Sequence, residues 1–237
     1  MTTTNIFNTF IMKKTMIALV CMLMAAGTAM AQKTFTFGPK IGVDYTHYWG
    51  KESLHGGQLN YQAGLFMEYH FNSKIAIVPE VVFAAQGGKN EGIIGYDYLH
   101  GGLYPYQHPY GPGSYGDEGY VEADYIDHMN YINIPVMLKY YVTPKLSIDF
   151  GPQLGINVYH KCTVKGTNTD YKETVSLKDN TKSVDFGLGL GLTYNITENV
   201  FVQARYTLGL TYAYENKEPW GLKNKNGNAQ IAIGFRF

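Results

Sequence analysis

Apolar and polar side chains alternate one by one through much of this chain. The last eight residues show it plainly. Ile231, Ile233, Phe235 and Phe237 fall on one side; Gln230, Ala232, Gly234 and Arg236 fall on the other. A two-residue period is a β-strand with one oily and one polar face. Val184, Phe186, Leu188, Leu190, Leu192 and Tyr194 alternate in the same way with Asp185, Gly187, Gly189, Gly191, Thr193 and Asn195. So do Tyr61, Ala63, Leu65, Met67, Tyr69 and Phe71 with Gln62, Gly64, Phe66, Glu68 and His70. The pattern predicts eight strands, at 34–48, 58–71, 75–86, 129–142, 146–159, 182–195, 200–213 and 228–237.

The connections between them alternate in length. Residues 72–74, 143–145 and 196–199 are tight turns with Asn, Pro and Ser chemistry. Residues 49–57, 87–128, 160–181 and 214–227 are long. That separation predicts a closed eight-stranded antiparallel up-and-down transmembrane β-barrel, with short periplasmic turns and long external loops. Pro39, Pro79, Pro135 and Pro152 fall within the strands. Each lacks a ladder donor, so bulges there, or strand boundaries a few residues off, are expected.

Charge decides which face meets lipid. The polar face carries Lys40, Asp44, Glu68, Glu80, Lys139, Asp149, Asp185, Arg205 and Arg236, five acids against four bases. Turned inward, they form a nearly balanced network that fills an interior only as wide as side chains. Turned toward lipid, a mid-bilayer Lys or Arg costs about 2–4 kcal/mol. Aromatics also gather at the strand ends: Tyr45, Tyr48 and Trp49; Tyr69 and Phe71; Tyr140 and Tyr141; Tyr212 and Tyr214. Such girdles mark the two membrane–water boundaries. The opposite orientation describes a soluble lipocalin-like carrier with an oily pocket. The aromatic carboxyl-terminal residue, Phe237, is typical of outer-membrane barrels and is taken as an assembly signal.

Composition agrees. Charged residues make up 16% of the chain, against about 25% in soluble domains. At the amino end, Lys13 and Lys14 precede an apolar run, Met16 to Ala26, and then Ala29-Met30-Ala31. This is a signal peptide pattern with cleavage after Ala31, and the run is too short to span a bilayer. Residues 1–31 are assigned to the signal and 32–237 to the barrel domain; Met12-Lys13-Lys14 begins a normal signal, which would put residues 1–11 upstream of the true start. Removing Lys13 and Lys14 from 19 basic residues leaves 17 against 19 acidic, net −2. That balance gives nucleic-acid binding no electrostatic support. Only Cys162 remains, so no intramolecular disulfide is expected.

Several segments resemble the PorT-like outer-membrane β-barrel family. They are Phe37 to Gly42, Tyr61 to Phe66, Val78 to Val82, Asn130 to Tyr141, Gly151 to Gly155, Asp185 to Gly191 and Ala204 to Tyr206. The resemblance covers essentially the whole mature chain and implies an outer-membrane barrel of Bacteroides-type bacteria. The founding member is associated with type IX secretion. Most similar proteins have no established task, so secretion is not transferred.

Candidate chemistry is sparse. Eight tyrosines lie between Tyr96 and Tyr125, interleaved with Gly and Pro. They suit either a glycan-contacting surface or a hydrated loop. His55, His100, His108, His128 and His160 fall in or beside the expected loops without metal-ligand spacing. Gly187-x-Gly189-x-Gly191 lacks the phosphate-cradling spacing. It reads as small residues making room in a lumen. Asp117, Glu118 and His128 form an acid–base group only by proximity in sequence, and Ser53, Ser114 and Ser176 lack a nucleophile elbow.

The expectation is an integral outer-membrane protein with a side-chain-plugged lumen, no cofactor, no metal and no catalysis. Its role would be structural, surface-binding or secretion-accessory. Its expected partners are outer membrane lipids, the barrel assembly machinery, and secretion or surface partners met through the external loops. The alternatives are a barrel enzyme acting on lipid or peptide, and the soluble carrier.

Overall fold

A computed structural model describes residues 34–50, 56–95, 120–167, 172–178, 181–213 and 224–237. The expected signal segment, and residues 96–119 of the tyrosine-rich connection, lie outside this range.

Ten strands form one antiparallel sheet: β1 (Phe35–Trp49), β2 (Gln58–His70), β3 (Ile75–Gln86), β4 (Lys89–Gly95), β5 (Tyr120–Tyr141), β6 (Leu146–Gly166), β7 (Lys172–Ser176), β8 (Val184–Asn195), β9 (Val200–Gly209) and β10 (Lys225–Phe235). Eight of them close a ring in the order β1-β2-β3-β5-β6-β8-β9-β10, with β10 returning to β1 and β5 joined to β6. This is the expected eight-stranded barrel. No helix among the described residues is long and apolar enough to cross a membrane; the crossing is made by strands.

The ring is inverted relative to a soluble domain. Along β8, Val184, Phe186, Leu188, Leu190, Leu192 and Tyr194 all face outward, with Leu190 59% exposed midway. Ile231 (64%), Ile233, Phe235 and Phe237 continue the band on the carboxyl-terminal strand and beyond. Lys40, Glu80, Lys139, Asp149 and Arg205 are buried instead. Apolar surface of this extent is what hydrocarbon, not water, tolerates.

Side-chain oxygens fix the three short turns alike. Asn72 Oδ1 accepts from the N–H of Lys74 and of Ile75, at 2.8 and 2.9 Å. Thr143 Oγ1 serves Lys145 and Leu146, and Thr197 Oγ1 serves Asn199 and Val200. The first is the Asx turn expected of Asn, and the other two are ST turns built on threonine.

Three expectations need correction. First, the prolines do not make bulges. Pro79 pairs with Val136, while the β2–β3 ladder lapses between Phe66↔Glu80 and Tyr69↔Ile77 and resumes in the same register. Pro135 and Pro152 behave likewise, each pairing on one side and interrupting the ladder on the other. Pro39 pairs with Leu65, and the β1–β10 ladder starts one residue later. A strand residue offers its N–H to one neighbour only. A missing donor therefore weakens one seam without shifting it. The register shift on β5–β6 lies at Asn130/Tyr131, away from any proline.

Second, the connections 87–128 and 160–181 are not wholly loop. β5 and β6 run past the ring and stay paired as far as Ala123↔Gly166, flanked by β4 and β7. The four strands make a sheet standing beyond the apolar band. The flanking strands are short, seven and five residues, and Lys172–Ser176 places a single large apolar residue, Val175, among polar ones, so no period-two signal betrays them. Gly87, at φ 139°, breaks the line from β3 into β4; a Cβ there would lie 1.9 Å from the Asp127 carbonyl oxygen. Third, β9 stops at Gly209, short of 213.

Candidate functional site

The lumen is filled in layers. At the turn end, Glu68 collects Lys139 Nζ (3.2 Å), Arg236 Nε (3.3 Å), His70 Nε2 (3.3 Å) and the Tyr141 hydroxyl. Arg236 Nη1 also donates to Asn195 Oδ1 at 2.8 Å. Above this layer lies an apolar plate of Phe66, Val78, Met137 and Phe201. The Phe66 and Phe201 rings meet edge to face at 5.2 Å. Arg236 and Lys139 approach the Phe201 ring at 4.5 and 5.6 Å, adding cation–π attraction. Phe201 fits because Gly234 has no side chain: a Cβ there would sit 2.2 Å from the ring.

The central layer is built on Glu80. Lys40 Nζ donates to its Oε2 at 2.5 Å, and Arg205 donates through both Nη atoms, at 3.0 and 2.7 Å. Lys40 also reaches Gln203 Oε1 at 3.2 Å. Gln203 passes its own N–H to Asp149, which accepts from Ser147 and Thr193 as well. Lys40, Glu68, Glu80, Lys139, Asp149, Thr193 and Arg205, with Arg236 just past β10, bring a polar group from every strand of the ring. Each carboxylate satisfies several donors, as a buried ion must.

Nearer the loop end the lumen turns neutral and acidic. Asp185 is half-buried and accepts from Thr211 and from Asn226 Nδ2 (2.9 Å). Gln62 bonds Gln230, and Gln230 bonds Thr207. Asp44 is fully buried. The Asn228 amide lies beside it, yet neither carboxylate oxygen closes a hydrogen bond. Of the nine predicted lumenal charges, Lys40, Glu80 and Arg205 meet in one cluster and Glu68, Lys139 and Arg236 in another. Asp149, Asp44 and Asp185 each sit apart from the bases.

Sequence reasoning missed two features. Tyr48 and Tyr141 point inward rather than joining the girdles, donating to Asp127 (3.3 Å) and to Glu68. His160 is buried at the rim. Its Nδ1 faces Thr181 Oγ1, and its Nε2 faces Asp127 Oδ1 at 3.4 Å. The Thr181 hydroxyl donates to the Leu177 carbonyl at 2.7 Å, so the trio ties chain together and offers no accessible nucleophile. On the extension, burial and then the Asp127 carboxylate push the Cys162 thiol well above the usual thiol range, which disfavours reactivity. His128 is exposed on β5, and Ser176 lies in β7. Asp117, Glu118, Ser53, Ser114, His55, His100 and His108 lie outside the described residues. Among the described residues no group of three His, Cys, Asp or Glu could hold a metal.

A model of the family described as outer membrane protein beta-barrel domain matches residues 30–215. No curated protein matches the chain. Among solved structures, Ail, the attachment invasion locus protein of Yersinia pestis, is 13% identical at a TM-score of 0.46, over 87% of this chain and all of that one. Neisserial surface protein A is 12% identical at 0.48, over 85% and 97%. The N-terminal barrel domain of Pseudomonas aeruginosa OprF is 15% identical at 0.31, over 84% and 97%.

Proposed function

Because the chain belongs to the outer membrane protein β-barrel domain family, and so resides in the outer membrane, we propose that it is a closed, non-catalytic barrel that holds a β-sheet platform outside the membrane. The observation that carries this reading is the Glu80 cluster. It bridges β1, β3 and β9 across the lumen with partners almost wholly shielded from water. A tube crossed in this way conducts nothing and offers no substrate channel. What remains accessible is the loop side, where β5 and β6 carry the chain beyond the apolar band and β4 and β7 widen it. The Lys89–Asp124 pair at 3.1 Å and the Thr163–Thr174 contact at 3.2 Å brace that sheet. Surface binding through the platform and its connecting loops is therefore the role, and the buried charges serve to hold the tube shut.

The PorT-like placement within the family rests on the segments from Phe37 to Tyr206 noted above; secretion is not carried over with it. Phe237 is proposed as the signal for the assembly machinery. In support, it is partly exposed, its N–H donates to the Phe37 carbonyl at 2.9 Å, and its ring lies 5.7 Å from Phe37.

The test is electrical. Purified barrel in a planar bilayer is expected to show no steady conductance, whereas Glu80→Ala together with Arg205→Ala opens measurable channels. Stable single-channel steps from the parent protein would overturn the closed-tube reading.

A further inference from the structure

The outward face at the external rim carries a cluster that lumen filling does not use. Trp49 ends β1, Lys225 starts β10, Tyr212 follows β9 and Lys182 precedes β8. These strand ends are neighbours. Trp49 pairs with Lys225, the Ala213 N–H donates to the Asn224 carbonyl at 2.9 Å, and the Lys182 N–H donates to the Ala213 carbonyl at 3.0 Å. Lys225 Nζ lies 4.9 Å from the Trp49 ring centre and 5.3 Å from that of Tyr212. Lys182 Nζ lies 5.8 Å from the Tyr212 ring centre. Trp49 is held in place by donating Nε1–H to the Asn226 carbonyl at 3.1 Å. Among the described residues neither ammonium has a carboxylate partner.

We propose that Lys182 and Lys225, shelved on Trp49 and Tyr212, form a binding site for the anionic phosphate headgroup of an outer-leaflet lipid. The position argues for lipid. Toward the membrane centre, the same strands continue into exposed Tyr45, Tyr206, Leu210 and Ile231, the upper margin of the apolar band. The molecules that occupy this height beside the barrel are lipids, with headgroups level with the two ammonium groups. Charge argues for an anion. Both cations face outward at the boundary, and among the described residues they are accompanied by ring faces rather than by carboxylates. Tryptophan and tyrosine prefer this same depth, with the ring in the acyl region and the polar edge in water. A headgroup phosphate placed between the lysines gains two charge-assisted hydrogen bonds while its chains lie along the apolar strands.

Trp49 is a built-in reporter. With Trp220→Phe removing the other tryptophan, the protein is reconstituted into vesicles of phosphatidylcholine containing brominated phosphatidylglycerol or brominated phosphatidylcholine. Each lysine near a membrane surface contributes about a fivefold preference for anionic lipid. The anionic lipid is therefore expected to quench Trp49 with about twentyfold higher apparent affinity. Lys182→Gln with Lys225→Gln should abolish that preference while quenching by brominated phosphatidylcholine persists, and Lys225→Arg should retain it. If the double variant fails the heat-modifiable gel test of folding, Lys182→Gln alone is expected to lose about fivefold. Equal quenching by the two lipids in the parent, or an undiminished preference in the glutamine variants, overturns the proposal. So does erasure of the preference by inorganic phosphate, but not by chloride at matched ionic strength, since the site would then take free phosphate.

Discussion

Removing Arg205 tests the central cluster most sharply. Arg205 supplies two of the three hydrogen bonds to Glu80, and Lys40 supplies the third. Hydrogen bonds to charged groups contribute about 1.5–3 kcal/mol each. Two would give about 3–6 kcal/mol, but Arg205→Ala also removes a buried cation whose own desolvation opposes folding by several kcal/mol. Lys40 stays to neutralise the carboxylate. The expected loss is therefore about 2–4 kcal/mol, somewhat under the ~3–5 kcal/mol for breaking a buried pair that leaves a charge with no partner. Glu80→Gln is expected to be worse, about 3–5 kcal/mol, because it leaves Lys40 and Arg205 facing each other across one neutral amide. The double variant should lose less than the sum of the singles by at least about 1 kcal/mol, the coupling expected of touching residues. The assay is reversible urea unfolding in short-chain lipid vesicles, followed by tryptophan emission and by gel mobility. The reasoning is falsified if Arg205→Ala leaves the midpoint unchanged, or if the two single losses simply add.

Two further outcomes follow from particular contacts. Gly234→Ala should destabilise by about 1–3 kcal/mol through overpacking, since its methyl group would drive into the Phe201 ring; an unchanged unfolding midpoint in detergent would show that Phe201 does not rest there. Phe237→Ser should lower the folded, heat-modifiable fraction in cells, while the same protein refolded in detergent unfolds within about 1 kcal/mol of the parent, because only a half-exposed ring is lost. Equal assembly in cells would remove Phe237 as a signal.

The ring strands were legible because lipid on one side and a narrow polar lumen on the other enforce strict alternation. Val184 to Asn195 obeys it at every position. What escaped had other causes. β4 and β7 are only seven and five residues long, and β7 holds a single large apolar residue, Val175, so neither carries a readable period. Tyr48 and Tyr141 stand next to outward aromatics, Trp49 and Tyr140, so composition places them in a girdle while parity places them in the lumen. At the prolines the missing donor produces neither a bulge nor a displaced strand; in a closed ring it opens a short gap on one seam only. The inward charges were identifiable one by one, but their partners were not. Arg205 and Glu80 come from strands on opposite walls, 125 residues apart, and meet only across the closed tube.

The orientation of the two faces carries everything else, and a spin-label scan along β8 measures it directly. Labels placed singly from residue 186 to residue 193 of the reconstituted barrel should alternate. High oxygen accessibility is predicted at 186, 188, 190 and 192, and low accessibility to both oxygen and a water-soluble nickel complex at 187, 189, 191 and 193. High nickel accessibility at 187, 189, 191 and 193, with the leucine positions shielded around an oily cavity, would contradict a lipid-facing apolar band and leave a soluble carrier in its place.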